Sequence, residues 1–168
     1  MLAYALIAAA VLDAARGEST SAVERMGEFE QLAPQVDFVP DYLPLAGRVC
    51  ARTGELAPLE RLLDAASDLD PRLDRFVSSG RAILAEARSE YGEAESLYAR
   101  AEQGWKEHDS VVERAYALLG LGRCRLAAGR SEEAAPPLRE AREIFEKLGA
   151  RPLVAEADEL LAPLLPAT

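Results

Sequence analysis

A repeated unit of two apolar helices joined by a tight turn is the feature that most constrains this chain. Its clearest copy runs from Ala117 to Ala150, where one helix ends at Gly129 and a second begins at Ser131. Glycine ends helices readily, and the Ser131 hydroxyl is expected to cap the free amides of the next turn. In the second helix, apolar residues recur at alternating steps of four and three, which predicts one continuous stripe: Ala134, Leu138, Ala141, Phe145 and Leu148. Such units must stack, because a single pair of helices cannot cover its own apolar face.

Three weaker copies precede this unit, at a spacing of roughly 35 to 40 residues, which is typical of stacked helical repeats. Their turns are placed at Gly17, Gly54 and Ser89. The stretch after the fourth copy predicts a further helix that closes the array as a cap. We therefore predict one domain over residues 1–168. Its parts are repeats at about 3–34, 40–70, 74–108 and 111–149, and a cap helix at 152–165.

The composition favours helix along the whole chain. Leu, Ala, Arg and Glu dominate, whereas the strand-favouring Val, Ile and Thr are sparse. Pro136 and Pro137 lie inside the last predicted hairpin, where each removes a backbone donor. We expect a bent but continuous helix from Ser131 to Leu148, and hence an all-α fold.

The last unit resembles the tetratricopeptide repeat. In that repeat, small residues at the eighth, twentieth and twenty-seventh positions let two antiparallel helices pack closely, and Gly122, Ala134 and Ala141 fill these places. Arg125 departs from the pattern, because the family usually has an aromatic residue at the eleventh position. The resemblance implies an all-α, right-handed superhelical array of about four helix-turn-helix repeats plus a C-terminal capping helix.

The sequence pattern of the repeats from Arg81 to Leu161 is similar to that of helical repeats in two classes of bacterial protein. These are the ATPase-containing LuxR-type transcriptional regulators and the adenylate cyclase-like signalling proteins. The similarity implies a non-catalytic protein–protein interaction module, or a regulatory or sensory module, of a bacterial signalling or transcriptional-regulator system. The alternative is a repeat domain that senses a small molecule bound in its concave groove.

The resemblance also implies where a partner binds, because the first helix of each tetratricopeptide pair lines the concave surface. The candidate partner-binding residues are Tyr4, Asp41, Arg48, Arg52, Phe76, Glu86, Tyr116 and Arg123, with Ile7 and Leu119 at equivalent positions. Aromatic residues and arginine are over-represented among binding hot spots, which favours a protein or peptide partner. The alternative is that the aromatic residues complete the packing between neighbouring repeats.

The charge of the chain disfavours two classes of partner. The 29 acidic and 19 basic residues give a formal charge of −10. An acidic surface repels phosphate backbones and anionic lipid, so we expect neither nucleic-acid binding nor membrane binding. The expected location is the cytoplasm.

Residues that carry catalytic or metal chemistry are few and scattered. His108 is the single histidine, and it lies in a polar stretch without a second His or Cys at ligand spacing. Cys50 and Cys124 lie within apolar helical patterns, which predicts small buried thiols. No phosphate-binding glycine motif occurs. We therefore expect no catalytic residue, no metal site and no cofactor.

The first predicted helix is hydrophobic on every side. From Leu2 to Leu12 it contains no charged residue, yet the run is too short to span a bilayer and no Lys or Arg precedes it. We expect this helix to be buried on several sides. Its cover would be another domain of a longer parent protein, or a second copy in a homo-oligomer.

Overall fold

The computed structural model describes residues 2–33, 39–66 and 71–164. Within these residues the chain forms nine α-helices and no strand. They are α1 (Leu2–Arg16), α2 (Ser19–Leu32), α3 (Val39–Thr53), α4 (Ala57–Ala65), α5 (Asp74–Ala87), α6 (Tyr91–Glu107), α7 (Val111–Ala127), α8 (Ser131–Lys147) and α9 (Arg151–Leu161). The prediction of an all-α helical repeat array with a C-terminal helix is confirmed. The ends expected for the first two repeats (34 and 67–70) and for the cap helix (165) lie outside the described residues.

The turns inside the predicted pairs of helices adopt left-handed backbone geometry. Gly17, Gly54 and Gly129 have φ angles of 79°, 81° and 74°. Glycine reaches this region without a Cβ clash, which explains its use where one helix must reverse into the next. Ser89, the turn without glycine, has φ 62°. All four turn positions predicted from the sequence are therefore confirmed.

The helices divide into two compact units, Met1–Arg88 and Ser89–Thr168. In unit 1, α3 packs against α1, α2, α4 and α5. The core of this unit contains Ile7, Phe29, Leu43 and Leu59, all fully buried. Cys50 is buried beside them, and burial raises the pKa of its thiol to about 11. The prediction of a small buried thiol at this position is confirmed.

Unit 2 is built from α6 to α9, each packed on the next. Two glycines of α7 set how closely its neighbours approach. A Cβ at Gly122 would lie 2.3 Å from Cγ of Leu138 in α8, and one at Gly120 would lie 2.4 Å from Cζ of Tyr98 in α6. No real Cβ tolerates such distances, so the packing of α7 on both sides requires glycine.

Helix α8 runs without a break from Ser131 to Lys147 and contains both prolines, as predicted. Pro137 has no N–H for the Glu133 carbonyl, but Nη1 of Arg125 donates to that oxygen at 3.0 Å. The expectation that Ser131 caps the helix is wrong. Arg130 occupies the cap position without a side-chain cap bond, and Ser131 is the first helical residue.

Helix α1 differs from its prediction. Its buried stripe of Ala3, Ile7, Ala10 and Ala14 faces the rest of unit 1. The opposite sides are open, with Leu2 64%, Tyr4 60% and Leu12 55% exposed. The expectation that α1 is buried on several sides is therefore wrong for the single chain, because α2 and α3 cover one face only.

Candidate functional site

The first helices of the second and third predicted pairs lie side by side in unit 1. A Cβ at Gly80 of α5 would lie 3.4 Å from Cβ of Leu43 in α3. Further along both helices, a Cβ at Gly47 would lie 2.9 Å from Cδ1 of Ile83. Because the contacts advance together along both helices, α3 and α5 run parallel. The candidate residues of unit 1 lie on these two helices and on α1.

Three of the candidate residues in unit 1 are exposed: Tyr4, Asp41 and Arg52. The Tyr4 ring packs edge-on against that of Tyr42, with 6.1 Å between centroids. This contact places the Tyr4 ring beside the start of α3, where Asp41 lies in the first turn, whereas Arg52 lies in the last turn. The exposed groups are therefore spread along α3 and at one end of α1.

The other candidates in unit 1 are half-buried: Arg48, Phe76 and Glu86. The Arg75 guanidinium lies over the Phe76 ring, 4.4 Å from its centroid, which is a typical distance for a cation–π contact. These three side chains already interact within the chain. They are less available to a partner than the exposed three.

The two candidates in unit 2 have structural partners. The Tyr116 ring packs edge-on against Phe145, with 5.4 Å between centroids, and Phe145 is fully buried. Arg123 Nη1 donates to Oε1 of Glu156 in α9 at 3.0 Å. Both side chains thus join α7 to its neighbours, and at Tyr116 the structure favours the alternative of packing.

Two apolar positions predicted to face a partner are not accessible. Ile7 and Leu119 are fully buried. A repeat position specifies which side of a helix a residue occupies, but it does not tell whether the adjacent helix covers that side.

Residues 75–147 match the family model of the tetratricopeptide repeat. This segment is a tetratricopeptide-repeat-like domain. The match begins inside α5 and ends at the last residue of α8, so it includes the turns at Ser89 and Gly129. Tetratricopeptide repeats generally mediate protein–protein interaction, consistent with a non-catalytic module. No curated protein matches the chain significantly.

The tetratricopeptide segment contains an ion-pair network that the sequence did not indicate. Glu95 of α6 accepts from Arg125 Nε at 2.9 Å and also from Arg130. Arg130 Nη1 in turn lies 3.1 Å from Oε2 of Glu133. The network joins α6, α7 and α8 at one end of the α7–α8 pair. Arg125, the departure from the family pattern, was the only available signal of it.

The network shifts the titration of one carboxyl. Hydrogen bonds from Arg130 and then Arg125 hold the pKa of Glu95 below its ordinary value of 4.5. Because the folded-state pKa is the lower one, the stabilisation is fully present above the unfolded-state pKa. It is lost as the pH falls through the folded-state value.

We expect Glu95→Gln to lower the free energy of unfolding at neutral pH and to flatten its loss between about pH 5 and pH 3. Urea unfolding across this range measures both effects. Glu93→Gln is the matched control, because Glu93 is exposed on the same helix. An acid limb with the same slope in Glu95→Gln as in the control would show that the network does not stabilise the fold.

No group of three or more His, Cys, Asp or Glu among the described residues could hold a metal ion. His108 is exposed, with Nδ1 2.9 Å from the Gly104 carbonyl oxygen, and Cys124 is buried. None of the described helices has the length and apolar character needed to cross a membrane.

Proposed function

We propose that this chain is a non-catalytic module that holds a protein or peptide segment against its first helices. The observation that carries the proposal is the parallel pair α3 and α5 with Tyr4, Asp41 and Arg52 exposed beside it. Tyrosine and arginine supply large contact area and directed hydrogen bonds, which makes them frequent binding hot spots. The mechanism is complementarity of shape and charge, without a covalent step.

The spacing of the charges on α3 determines where the proposed partner segment should carry opposite charges. Asp41 and Arg52 lie eleven residues apart on one helix, which corresponds to roughly 16 Å at 1.5 Å per residue. An extended peptide covers that length with about five residues. We expect a segment with a basic group near Asp41, an acidic group near Arg52 and an apolar side chain against Tyr4.

The biological setting that we propose rests on sequence resemblance. The repeats from Arg81 to Leu161 resemble in sequence pattern those of bacterial LuxR-type regulators and adenylate cyclase-like proteins. We therefore propose a regulatory role in a cytoplasmic signalling or transcriptional-regulator system, with four repeats acting as one domain. A domain of a longer parent protein would be a suitable partner.

Panning a displayed library of random peptides on the full chain tests the proposed surface. Peptides selected by the wild type should bind Asp41→Ser/Arg52→Ser at least tenfold more weakly, since two hot spots each contribute about 1 kcal/mol or more. Both charges also suit their helix ends, so the melting temperature of each variant must be measured.

The matched control is Glu24→Ser/Arg139→Ser, which removes one acid and one base from exposed positions on the second helices α2 and α8. This control should bind the selected peptides as the wild type does. Equal losses in the control and in the α3 variant would contradict the assignment of the first helices as the binding face.

A further inference from the structure

One end of unit 2 exposes three large apolar side chains. Val111 and Val112, at the start of α7, are 51% and 45% exposed, and Leu148, directly after α8, is 49% exposed. Single exposed apolar residues are ordinary, but several together indicate an interaction surface. The question is therefore whether these three lie together.

The register of α7 on α8 places Val112 and Leu148 at the same level along the helix pair. Gly122 lies over Leu138, and one to two turns further Tyr116 lies against Phe145. The two helices are antiparallel, so the next turn brings Val112 level with Leu148, at the end where α7 begins.

Three exposed cations lie at the helix ends that meet at this level. They are Lys106 at the end of α6, Lys147 at the end of α8 and Arg151 at the start of α9. Helices α6 and α7 are antiparallel, and Arg114 Nε of α7 donates to Oε1 of Glu102 in α6 at 2.6 Å. One turn beyond this contact, Lys106 near the end of α6 is therefore level with Val111 and Val112 at the start of α7.

These cations differ from most of the other basic residues of unit 2. Most of the others pair with carboxylates: Arg114, Arg123, Arg125, Arg130 and Arg142. Within the part of the chain that the structure describes, the side chains of Lys106, Lys147 and Arg151 make no hydrogen bond or ion pair. Both lysines of the chain are among them, although its formal charge is −10.

Helix dipoles do not account for the whole arrangement. Lys106 and Lys147 lie in the last turns of their helices, where a cation is favoured. Arg151 is the first residue of α9, where a cation is disfavoured. At the same end, Glu107 accepts a hydrogen bond from Gln103 at 2.7 Å, and Asp109 is exposed.

We propose that this end of unit 2 is a docking surface for a protein segment that combines apolar and acidic side chains. We name it the α7 edge patch: Lys106, Val111, Val112, Lys147, Leu148 and Arg151. Apolar side chains of the segment would cover the exposed valines and leucine, while its carboxylates would pair with the three cations. The patch shares no residue with the surface proposed on α3 and α5, so either proposal can fail alone.

The charge of the chain argues against a lipid surface as the occupant. Polybasic lipid-binding segments use about four to eight cations, whereas the patch has three on a strongly acidic chain. A peptide with two or three carboxylates can pair with the three cations of the patch. Unlike an anionic membrane, it does not bring an extended negative surface close to the other acidic residues of the chain.

The experiment pans random displayed peptides on the full chain carrying Asp41→Ser/Arg52→Ser, so that α3 does not contribute. Selected peptides should be enriched in Leu or Phe together with Asp or Glu. Val112→Ser/Leu148→Ser should weaken their binding about tenfold or more, because buried anchors dominate such interfaces. Lys147→Glu/Arg151→Glu should do the same and keeps the test available if the first variant unfolds.

The control variant is Val23→Ser/Arg139→Glu, which changes exposed residues outside the patch and should leave binding unaltered. The proposal would be overturned if every selected peptide bound the patch variants as tightly as it binds the unsubstituted patch. It would also be overturned if binding were unchanged when the Asp and Glu residues of the peptide are replaced by lysine. Patch-dependent self-association in sedimentation velocity, or patch-dependent binding to vesicles of phosphatidylcholine and phosphatidylserine in equal parts, would overturn it as well.

Discussion

Gly122→Val should lower the free energy of unfolding by about 3 kcal/mol, at the upper end of the range for overpacked cores. The first added atom alone would lie 2.3 Å from Cγ and from Cδ2 of Leu138. Leu138 is fully buried, so it cannot move aside into solvent. The stiff β-branched side chain adds two further methyl groups at the same place. Urea unfolding, followed by the fluorescence of the buried Trp105, measures the loss.

Two comparisons make this prediction specific to packing. Gly27→Ala should raise stability by roughly 0.5–1 kcal/mol, because Gly27 is inside α2 and an added Cβ there meets nothing within 4 Å. Gly122→Ala and Leu138→Ala together should be less destabilising than the sum of the two single changes. Additive effects would contradict the close approach of α7 and α8.

Phe145→Ala should lower the free energy of unfolding by about 3–5 kcal/mol, as expected for removal of a buried aromatic ring. Phe145 is 1% exposed and belongs to the predicted apolar stripe of α8. Its ring also supports Tyr116 on α7 through an edge-on contact at 5.4 Å. Denaturant unfolding of the full chain measures the effect. The exposed large-to-small change Leu12→Ala is the control, expected to stay within about 0.5 kcal/mol.

Substitution of Phe145 also tests whether Tyr116 is a packing residue or a binding residue. If Tyr116 is a packing residue, the double-mutant cycle with Phe145 should give a coupling of about 0.5–1.5 kcal/mol. Tyr116→Ala should then lower stability by itself. Independent effects at the two positions, with peptide binding lost in Tyr116→Ala, would instead return Tyr116 to the binding face.

Local rules predicted much of the fold. The turns at Gly17, Gly54 and Gly129 could be predicted because few residues other than glycine adopt positive φ at low cost. Gly122 was predicted as a close-contact position because a small residue recurs there in the repeat. The continuity of α8 through its prolines was also predicted, although the Arg125 bond that satisfies the freed carbonyl was not.

The site was less predictable, because exposure depends on tertiary neighbours. The pattern of first helices identified Tyr116 and Arg123, but only the structure shows that Phe145 and Glu156 already contact them. Helix α1 is equally apolar on all sides in sequence, so nothing indicated which side unit 1 would cover. Long charged side chains such as Arg125 reach partners thirty residues away, which no local pattern encodes.

Hydrogen exchange of the full chain, with and without a peptide selected by panning, tests most directly the claim that the first helices bind a partner. Amide exchange in α3 (Val39–Thr53) and α5 (Asp74–Ala87) should become slower when the peptide is present. Exchange in the second helices α2 and α4 should be nearly unchanged. Protection confined to α2 and α4, with α3 and α5 unaffected, would show that the first helices are not the binding face.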